Sequence, residues 1–255
     1  MAYCLSAVII QEAEHFAWWL GSALSIGLAS TTLAARDLWD HVRAVNDPLQ
    51  AGDLPAARGA VAMIVGRDTA ELSESEVARA TVETVAESVS DGVIAPLLYL
   101  AVGGAPLALA YKAVNTLDSM IGHRDERYAY LGWASARLDD LVNWMPARLS
   151  AVLLLLGAGL ITQQIERIHN GWRVLKRDGS LHPSPNSGRP EAAMAGILGI
   201  RLGGTNFYEG IAQDRPILGA EGRSAEPRDM TLAAIIMVAA SVVGVILAVG
   251  IKWLV

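Results

Sequence analysis

Long uncharged apolar stretches dominate the pattern of the sequence. Residues 16–35 form a run of 20 residues without a charge, and residues 231–251 form a run of 21. A helix of about 20 apolar residues is long enough to cross the hydrocarbon core of a bilayer. The pattern therefore predicts an integral membrane protein with spans near 16–35 and 231–251.

Two further apolar stretches allow more than one interpretation. Residues 93–111 are uncharged, but they contain two prolines and a pair of adjacent glycines. Because these residues interrupt a helix, the segment is predicted either to span the membrane or to enter and leave on the same side. Residues 149–165 contain 17 uncharged residues, which is the lower limit for a span.

The distribution of basic residues predicts the orientation. If all four stretches cross, segments 36–92 and 163–230 share one side with 14 of the 20 Lys and Arg residues. If only the first and last cross, residues 36–230 lie together with 19 of them. Basic loops remain in the cytoplasm, so both arrangements place 36–92 and 163–230 there. The prediction is a multi-pass protein of the cell (inner) membrane whose active site faces the cytoplasm.

The polar segments are predicted to form helices and loops. Residues 73–76 have the Ser-x-x-Glu spacing of a capping box, and Pro190 suits the first turn of a further helix. Residues 171–190 are rich in loop-forming residues, and no β-hairpin pattern is found. The predicted fold class is all-α: one polytopic helical membrane domain over 1–255, with substantial helices and loops on the cytoplasmic side.

Composition agrees with this fold class and excludes several kinds of partner. Of the 255 residues, 53% are hydrophobic and 18% are charged, and the mean hydropathy is +0.35. The net charge is −6 and no basic block occurs, so nucleic acid is not an expected partner. Cys4 is the single cysteine, which excludes internal disulfides and a cysteine metal site.

One series of charged residues recurs every three to four positions. Its members are Glu76, Arg79, Glu83, Glu87 and Asp91. On a helix they share one face, beside an apolar face of valines. Stacked carboxylates repel one another unless a cation or arginines neutralise them, so Mg²⁺ is a candidate partner. The alternative is an ordinary solvated face.

A second acidic group follows Arg137. Asp139 and Asp140 lie four and three residues before Asn143, so their oxygen atoms converge on one side of a helix. A divalent cation that holds phosphate needs such an arrangement. The alternative is an ion pair between Arg137 and one of the aspartates that joins two helices.

Lys112, Asn115 and Asp118 follow an apolar stretch at three-residue spacing. Together they would neutralise a phosphate beside a metal ligand; the alternative for the lysine is a side chain that extends to the membrane surface. Arg67 and Asp68 lie in a turn-like segment that would bind an anion. The glycines at 203–204 would allow a ligand to approach the backbone closely. Taken alone, these patterns predict a membrane protein that handles Mg²⁺ and phosphate, and they do not identify its reaction.

Several motifs, taken in order, resemble one family. They are Ile64–Thr69, Asp91–Pro96, Tyr111–Met120, Ala136–Asp140, Pro146–Leu149, His182–Asn186, Pro190–Ala192 and Arg201–Gly204. Together they resemble the CobD/CbiB cobalamin-biosynthesis family over residues 30–220. The family's early motifs do not occur, so the chain is expected to be shortened at its N-terminus relative to the family. Ser88, Arg189 and Thr205 also replace residues that are usual there.

The resemblance implies the activity of an adenosylcobinamide-phosphate synthase. Such an enzyme joins (R)-1-aminopropan-2-ol, or its phosphate, to a propionate side chain of adenosylcobyric acid and consumes ATP. The expected product is an amide, and the expected cofactor is Mg²⁺ with ATP as co-substrate. The expected partners are the corrinoid, the amino alcohol, the lipid bilayer and other cobamide-assembly enzymes.

The resemblance also assigns expected roles to the candidate residues. The expected catalytic residues are Lys112, Asp118, Arg67 and Asp68. The expected substrate-binding residues are Asn115, Arg137, Asn186, Glu191, Arg201, Gly203 and Gly204. The expected metal ligands are Asp139, Asp140 and Asn143, together with Glu83, Glu87 and Asp91.

Two other functions are kept as alternatives. A UbiA-type or CDP-alcohol transferase also places acidic clusters around Mg²⁺ at a membrane, although the Asp-x-x-x-Asp repeats of those enzymes are missing here. An inactive paralogue or membrane scaffold of cobamide assembly would bind corrinoid without turnover. A purely structural protein gives little reason to keep acidic residues beside a bilayer, since such residues are costly there unless they are paired.

Overall fold

The computed structural model describes residues 1–121 and 129–254, and these residues are mainly helical. The helices are α1 (Ala2–Phe16), α2 (Trp18–Ser30), α3 (Ala35–Gln50), α4 (Leu54–Ala62), α5 (Glu74–Val89), α6 (Ala95–Ile121), α7 (Ala129–Thr162), α8 (Ile165–Asp178), α9 (Gly188–Leu198) and α10 (Pro227–Leu254). Two strands, β1 (Leu202–Tyr208) and β2 (Ile211–Leu218), form a small antiparallel sheet. The predicted fold class of a helical membrane protein is confirmed.

Within the described residues, three helical stretches are long and apolar enough to cross a membrane: Glu74–Ile121, Gly132–Thr162 and Pro227–Leu254. The last contains the predicted span 231–251. The predicted span 16–35 is not one continuous helix, because the chain is extended at Ala17 and α2 ends at Ser30. Neither hydropathy nor propensity revealed the break, because alanine is apolar and the strongest helix former.

The stretch 93–111 reverses direction inside α6. The two adjacent glycines have non-helical backbone angles, and Gly104 has a φ of 67°. The rings of Tyr99 and Tyr111 are stacked at 5.0 Å, although a straight helix would separate these residues by about 18 Å. The chain therefore forms a helical hairpin between these two tyrosines, and its path relative to the membrane stays a prediction. Glycine permits the reversal because it has no Cβ to restrict a positive φ.

The described chain divides into two compact units that alternate along the sequence. Unit 1 comprises residues 1–34, 91–146 and 244–255, and unit 2 comprises residues 35–90 and 147–243. In unit 1, α1 and α2 pack against each other and against α6. The absence of a side chain at Gly21 lets α2 approach α1 closely, since a Cβ there would lie 2.1 Å from Cγ of Glu14.

Unit 2 is organised around the contact between α8 and α9. A Cβ at Gly196 would lie 2.6 Å from the carbonyl oxygen of Asn170, so glycine is needed for the two helix backbones to approach this closely. Helix α5 packs against α3, α4 and α9. Its N-terminus has the predicted capping box between Ser73 and Glu76, which is confirmed. Pro190 lies in the first turn of α9, also as predicted.

The β-hairpin in unit 2 was not predicted from the sequence. Its two-residue turn consists of Glu209 and Gly210, with φ values of 52° and 77°. Positive φ at both positions is the geometry that joins two twisted strands, and asparagine or aspartate commonly precedes the glycine. Glutamate at the first position is a weak turn signal, so local sequence reasoning missed the hairpin.

The contact between α7 and α10 in unit 2 yields a stability prediction. A Cβ at Gly157 would lie 2.9 Å from the backbone nitrogen of Ala240 and 2.9 Å from the carbonyl oxygen of Ile236. We expect Gly157→Ala to destabilise the protein by about 1–3 kcal/mol, because backbone atoms cannot move aside as flexible side chains do. Thermal unfolding in detergent measures the change.

Gly250→Ala is the matched control for this prediction, since nothing lies within 4 Å of a Cβ at that position of α10. We expect this control to leave stability unchanged or to raise it slightly, because alanine favours helix over glycine. Equal melting temperatures for the two variants would contradict the close α7–α10 contact.

Candidate functional site

Unit 1 contains a hydrogen-bonded network centred on Asp139, which we call the Asp139 network. Its members are Tyr111, Lys112, Asn115, Asp139 and Asn143. Nδ2 of Asn143 donates to Oδ2 of Asp139 at 2.9 Å, and Nδ2 of Asn115 donates to Oδ1 at 3.3 Å. Both carboxylate oxygens thus accept an amide hydrogen, which holds the carboxylate in one orientation.

The two amides of the Asp139 network are themselves oriented by other residues. The hydroxyl of Tyr111 donates to Oδ1 of Asn143 at 2.8 Å, and Nζ of Lys112 donates to Oδ1 of Asn115 at 3.3 Å. Asn143 is 1% exposed, so its polar atoms need such partners. The network therefore connects a lysine to a buried tyrosine through one carboxylate.

Two features of the fold assemble this network. Asp139 and Asn143 are one helical turn apart on α7, so their side chains lie on the same face. The hairpin in α6 returns the chain so that the hydroxyl oxygen of Tyr111 also lies 3.2 Å from the backbone oxygen of Asp91. Lys112 and Asn115 follow Tyr111 on the returning segment. The structure thus brings the two predicted acidic and basic motifs together.

The other predicted residues of unit 1 surround Asp139. The carboxylate of Asp139 interacts electrostatically with those of Asp118 and Asp140. The guanidinium of Arg137 lies over the ring of Trp133, with 5.9 Å from Cζ to the ring centroid. Arg137 also interacts electrostatically with Asp140. Both residues lie on α7, so this interaction does not join two helices.

The described residues contain no group of three or more His, Cys, Asp or Glu side chains placed to hold a metal ion. A Mg²⁺ ion that bridges phosphates keeps several waters and needs only one or two carboxylates from the protein. The carboxylates of Asp118 and Asp139 interact electrostatically, which makes them the candidates for such a smaller ligand set. The predicted larger ligand set stays a prediction, and two of its members, Glu83 and Glu87, have partners within unit 2.

Unit 2 contains a second network, the Arg67 network, formed by Arg67, Arg79, Glu83, Gly203 and Asn206. Arg67 forms a buried ion pair with Glu83 and donates to Oδ1 of Asn206 at 2.6 Å. Glu83 also accepts the backbone N–H of Gly203 at 2.8 Å. Arg79 donates to the carbonyl oxygen of Gly203 and, at 3.0 Å, to Oδ1 of Asn206. This network attaches β1 to α5.

Asp68 and the two predicted glycines hold the β-hairpin in place. The carboxylate of Asp68 accepts the backbone N–H groups of Glu209 and Gly210, at 3.2 and 2.7 Å. Gly203 has a φ of 82°, and a Cβ there would lie 2.1 Å from the carbonyl oxygen of Pro216. Gly204 has a φ of 87°. The predicted close backbone approach therefore serves strand pairing in this part of the chain.

A cavity of about 360 Å³ adjoins the Arg67 network in unit 2. Its walls include Arg79, Arg201 and the glycine pair at 203–204. Arg201 donates to the hydroxyl of Ser224 at 3.1 Å and is otherwise exposed at the surface. The cavity wall thus carries two arginines and one carboxylate, Glu76. The substrate-binding role of Arg201 stays a prediction.

The connection from α8 to α9 forms a third polar group in unit 2. The carboxylate of Glu191 is buried, and its Oε1 lies 3.9 Å from Nε2 of His182. Burial, together with the carboxylates of Glu87 and Glu83, raises the pKa of Glu191 well above its ordinary value. Glu87 accepts a hydrogen bond from the hydroxyl of Ser187 at 2.8 Å. Asn186 is buried in the same connection.

The sequence analysis assigned no role to four members of these groups: Tyr111, His182, Ser187 and Asn206. Tyr111 and His182 are the first residues of two motifs that carry the family resemblance, and Asn206 lies two residues after the glycine pair, so each of these positions had a signal in the sequence. Ser187 had none, because its contact with Glu87 joins residues that are 100 positions apart.

The chain matches the family model described as CobD/Cbib protein over residues 1–237. It is 57% identical over 199 residues to the cobalamin biosynthesis protein CobD of Geobacter metallireducens, covering 78% of this chain and 62% of that protein. It is 48% identical over 239 residues to the protein of the same name from Klebsiella pneumoniae subsp. pneumoniae, covering 93% and 74%.

A third relative is the cobalamin biosynthesis protein CbiB of Salmonella typhimurium, which is 45% identical over 226 residues, with 88% of this chain and 69% of the relative covered. The chain thus spans less than two thirds of the Geobacter protein. No solved structure matches the chain. The family model and these identities establish that the chain belongs to the CobD/Cbib protein family.

Proposed function

We propose that this chain acts in cobalamin biosynthesis as an amide-forming synthase. In this proposal it joins (R)-1-aminopropan-2-ol, or its phosphate, to a propionate carboxylate of adenosylcobyric acid at the expense of ATP. The relatives' printed names support the pathway. The Asp139 network is the observation that carries the proposal, because it connects the ammonium group of Lys112 to a carboxylate whose orientation is fixed by hydrogen bonds.

The reaction needs the propionate to be activated before an amine attacks it. A carboxylate is a poor acylating group, and phosphorylation by ATP converts it to an acyl phosphate with a good leaving group. Such phosphoryl transfers depend mainly on positioning and on neutralisation of charge. Lys112 supplies a positive charge beside Asn115 for that purpose, and the hydrogen bond between them holds the ammonium group in place.

Asp118 and Asp139 are the residues proposed to hold Mg²⁺. When it is bound, Mg²⁺ neutralises phosphate charge and orients the phosphoryl group. Asp139 is oriented for such contact by its two amide donors. The same two hydrogen bonds leave lone pairs on both carboxylate oxygens, since a carboxylate oxygen accepts about two hydrogen bonds.

The cavity beside the Arg67 network is proposed to hold a phosphate of the substrates. Arg79 and Arg201 contribute to its walls, and arginine pairs well with phosphate oxygens. The proposed location is the cell (inner) membrane, with several spans and a cytoplasmic site, because 14 of the 20 basic residues lie in 36–92 and 163–230. Contacts with other cobamide-assembly enzymes belong to the same proposal.

Complementation tests the proposed function. A strain that lacks the synthase is fed adenosylcobyric acid and supplied with this chain, or with a version extended at its N-terminus to the length of its relatives. Growth with either version, together with formation of adenosylcobinamide phosphate in its membranes, is the expected result. Membrane expression without product, for both versions, would refute the synthase and favour a scaffold that binds corrinoid without turnover.

A further inference from the structure

A groove in unit 1, which we call the unit 1 groove, is formed by α1, α2 and α6. Its volume is about 620 Å³, and its walls include Leu5, Ile9, Leu24, Leu28, Leu109 and Lys112. Leu5 and Ile9 are 60% and 45% exposed, so the groove is open along α1. No charged residue occurs in 2–10, 16–35 or 93–111, so most of the groove belongs to apolar segments that are expected inside the bilayer.

Among the described residues that line the unit 1 groove, Lys112 alone carries a charge. Its Nζ donates to Oδ1 of Asn115 at 3.3 Å, and it forms no ion pair within residues 1–121 and 129–254. An ammonium group has three N–H donors, so two of them are available to a ligand. A cationic side chain beside hydrocarbon is costly unless it is paired, so the lysine favours an anion at the groove.

The other walls of the groove determine what this anion must carry. Apart from Lys112 they are apolar, except for the hydroxyl groups of Ser6 and Thr116. The hydroxyl of Ser6 already donates to the backbone oxygen of Ala2 at 2.8 Å. A free phosphate ion would pair with the lysine and leave the rest of the groove empty, whereas a hydrocarbon chain would gain dispersion contacts with its walls. The expected occupant is therefore an anion that carries a hydrocarbon chain.

An anionic phospholipid has both parts in the required order. Its phosphate lies at the edge of the hydrocarbon and its chains extend inward, and Lys112 directly follows the uncharged stretch 93–111. A zwitterionic headgroup carries its own ammonium group, which Lys112 repels, so a headgroup with a net negative charge is favoured. The proposed substrates, by contrast, carry no long hydrocarbon chain.

We propose that the unit 1 groove binds an anionic phospholipid, whose phosphate contacts Lys112 and one of whose acyl chains packs against α1, α2 and α6. This inference goes beyond the proposed synthase function and does not require it. One of the three N–H groups of Lys112 is bound to Asn115. The remaining two allow a lipid phosphate and a substrate phosphate to share the ammonium group.

Native mass spectrometry of the protein purified in neutral detergent tests the inference. Phosphatidylglycerol and phosphatidylcholine with the same acyl chains are added in turn, and the fraction of protein with one bound lipid gives each affinity. We expect phosphatidylglycerol to bind about tenfold more tightly, as for one charge-assisted hydrogen bond. Lys112→Gln should remove this preference. Equal affinities of the two lipids for the unmodified chain would overturn the inference.

Lys176→Gln is the matched control, because it also removes one ammonium group but lies outside the groove. Lys176 is exposed on α8 in unit 2, with its Nζ 5.0 Å from the ring centroid of Trp172. We expect this control to keep the preference for phosphatidylglycerol. Loss of the preference in both variants, or in neither, would show that anionic lipid binds elsewhere on the protein and would overturn the inference.

A second variant tests the apolar part of the groove. Ala113 lies in its wall, so Ala113→Phe fills the groove and keeps Lys112. We expect phosphatidylglycerol to bind about tenfold more weakly, because several methylene groups of the acyl chain lose their contacts. Thermal unfolding in detergent checks that the variant is folded. Unchanged binding to the folded variant would overturn the inference independently of Lys112→Gln.

Two further measurements test other occupants of the groove. Inorganic phosphate should not displace phosphatidylglycerol from the unmodified chain, and displacement would show a phosphate site that does not recognise hydrocarbon. The version extended at its N-terminus should bind phosphatidylglycerol with the same preference. Loss of binding in that version would show that a protein segment occupies the groove in place of a lipid. Either of these two outcomes would overturn the inference.

Discussion

Under the proposed function, Asp139→Asn is expected to reduce formation of adenosylcobinamide phosphate at least about 100-fold, the usual loss when one electrostatic group of a catalytic site is removed. Asparagine has one oxygen and one NH₂ group. It can therefore accept from only one of the two amides that now donate to Asp139, and its NH₂ group must face the other. The variant also lacks the negative charge that is proposed to hold Mg²⁺. Turnover in purified membranes measures the change.

Asp37→Asn is the matched control for this prediction, since Asp37 is exposed in the first turn of α3. We expect the control to retain turnover. The loss of hydrogen bonding in Asp139→Asn is expected to cost only about 1–3 kcal/mol of stability, so the folded protein should persist. A normal rate in Asp139→Asn would contradict the assignment of this carboxylate to the reaction, and would leave the Asp139 network as a structural feature.

Arg67→Met is expected to destabilise the protein by about 3–5 kcal/mol, the usual effect of removing one member of a buried ion pair. The side chains of Arg67 and Glu83 are 7% and 10% exposed. Without the arginine, Glu83 keeps a buried charge that one backbone N–H partly compensates. Asn206 also loses one donor to its Oδ1. Thermal unfolding in detergent measures the loss.

Two further variants test whether the loss comes from the buried ion pair. Arg36→Met removes an exposed ion pair with Asp40, whose side chains are 85% and 50% exposed, and we expect a change of at most about 1 kcal/mol. Adding Glu83→Gln to Arg67→Met removes the buried charge and should restore part of the stability. Equal effects of Arg67→Met and Arg36→Met would show that the Arg67–Glu83 pair does not stabilise the fold.

Local patterns predicted the parts of this protein that depend on neighbouring residues. The capping box at Ser73 and the proline in the first turn of α9 follow from short-range hydrogen bonding, so they could be recognised in the sequence. The spacing of Asp139 and Asn143 predicted a shared helix face for the same reason. The hydropathy of 231–251 predicted a helix long enough to span a bilayer, and α10 contains it.

Patterns of this kind could not predict which residues from distant parts of the sequence a side chain contacts. The acidic series at 76–91 was predicted to share one helix face that meets either a cation or solvent. In the structure its members have separate roles: Glu76 caps the helix, Glu83 pairs with Arg67, and Glu87 accepts from Ser187. Spacing along a helix fixes the face on which residues lie, but not what packs against that face.

By itself the sequence determined the helical membrane class, the motifs of the CobD/Cbib family and the residue types of the candidate site. Those properties are local or compositional, so they can be recognised without coordinates. The tertiary structure alone decided that 93–111 folds into a hairpin, that Lys112 connects to Asp139 through Asn115, and that His182 faces Glu191. Each of these features depends on contacts between segments that are distant in sequence. Local propensity leaves many such arrangements equally favourable, and packing and burial select one of them.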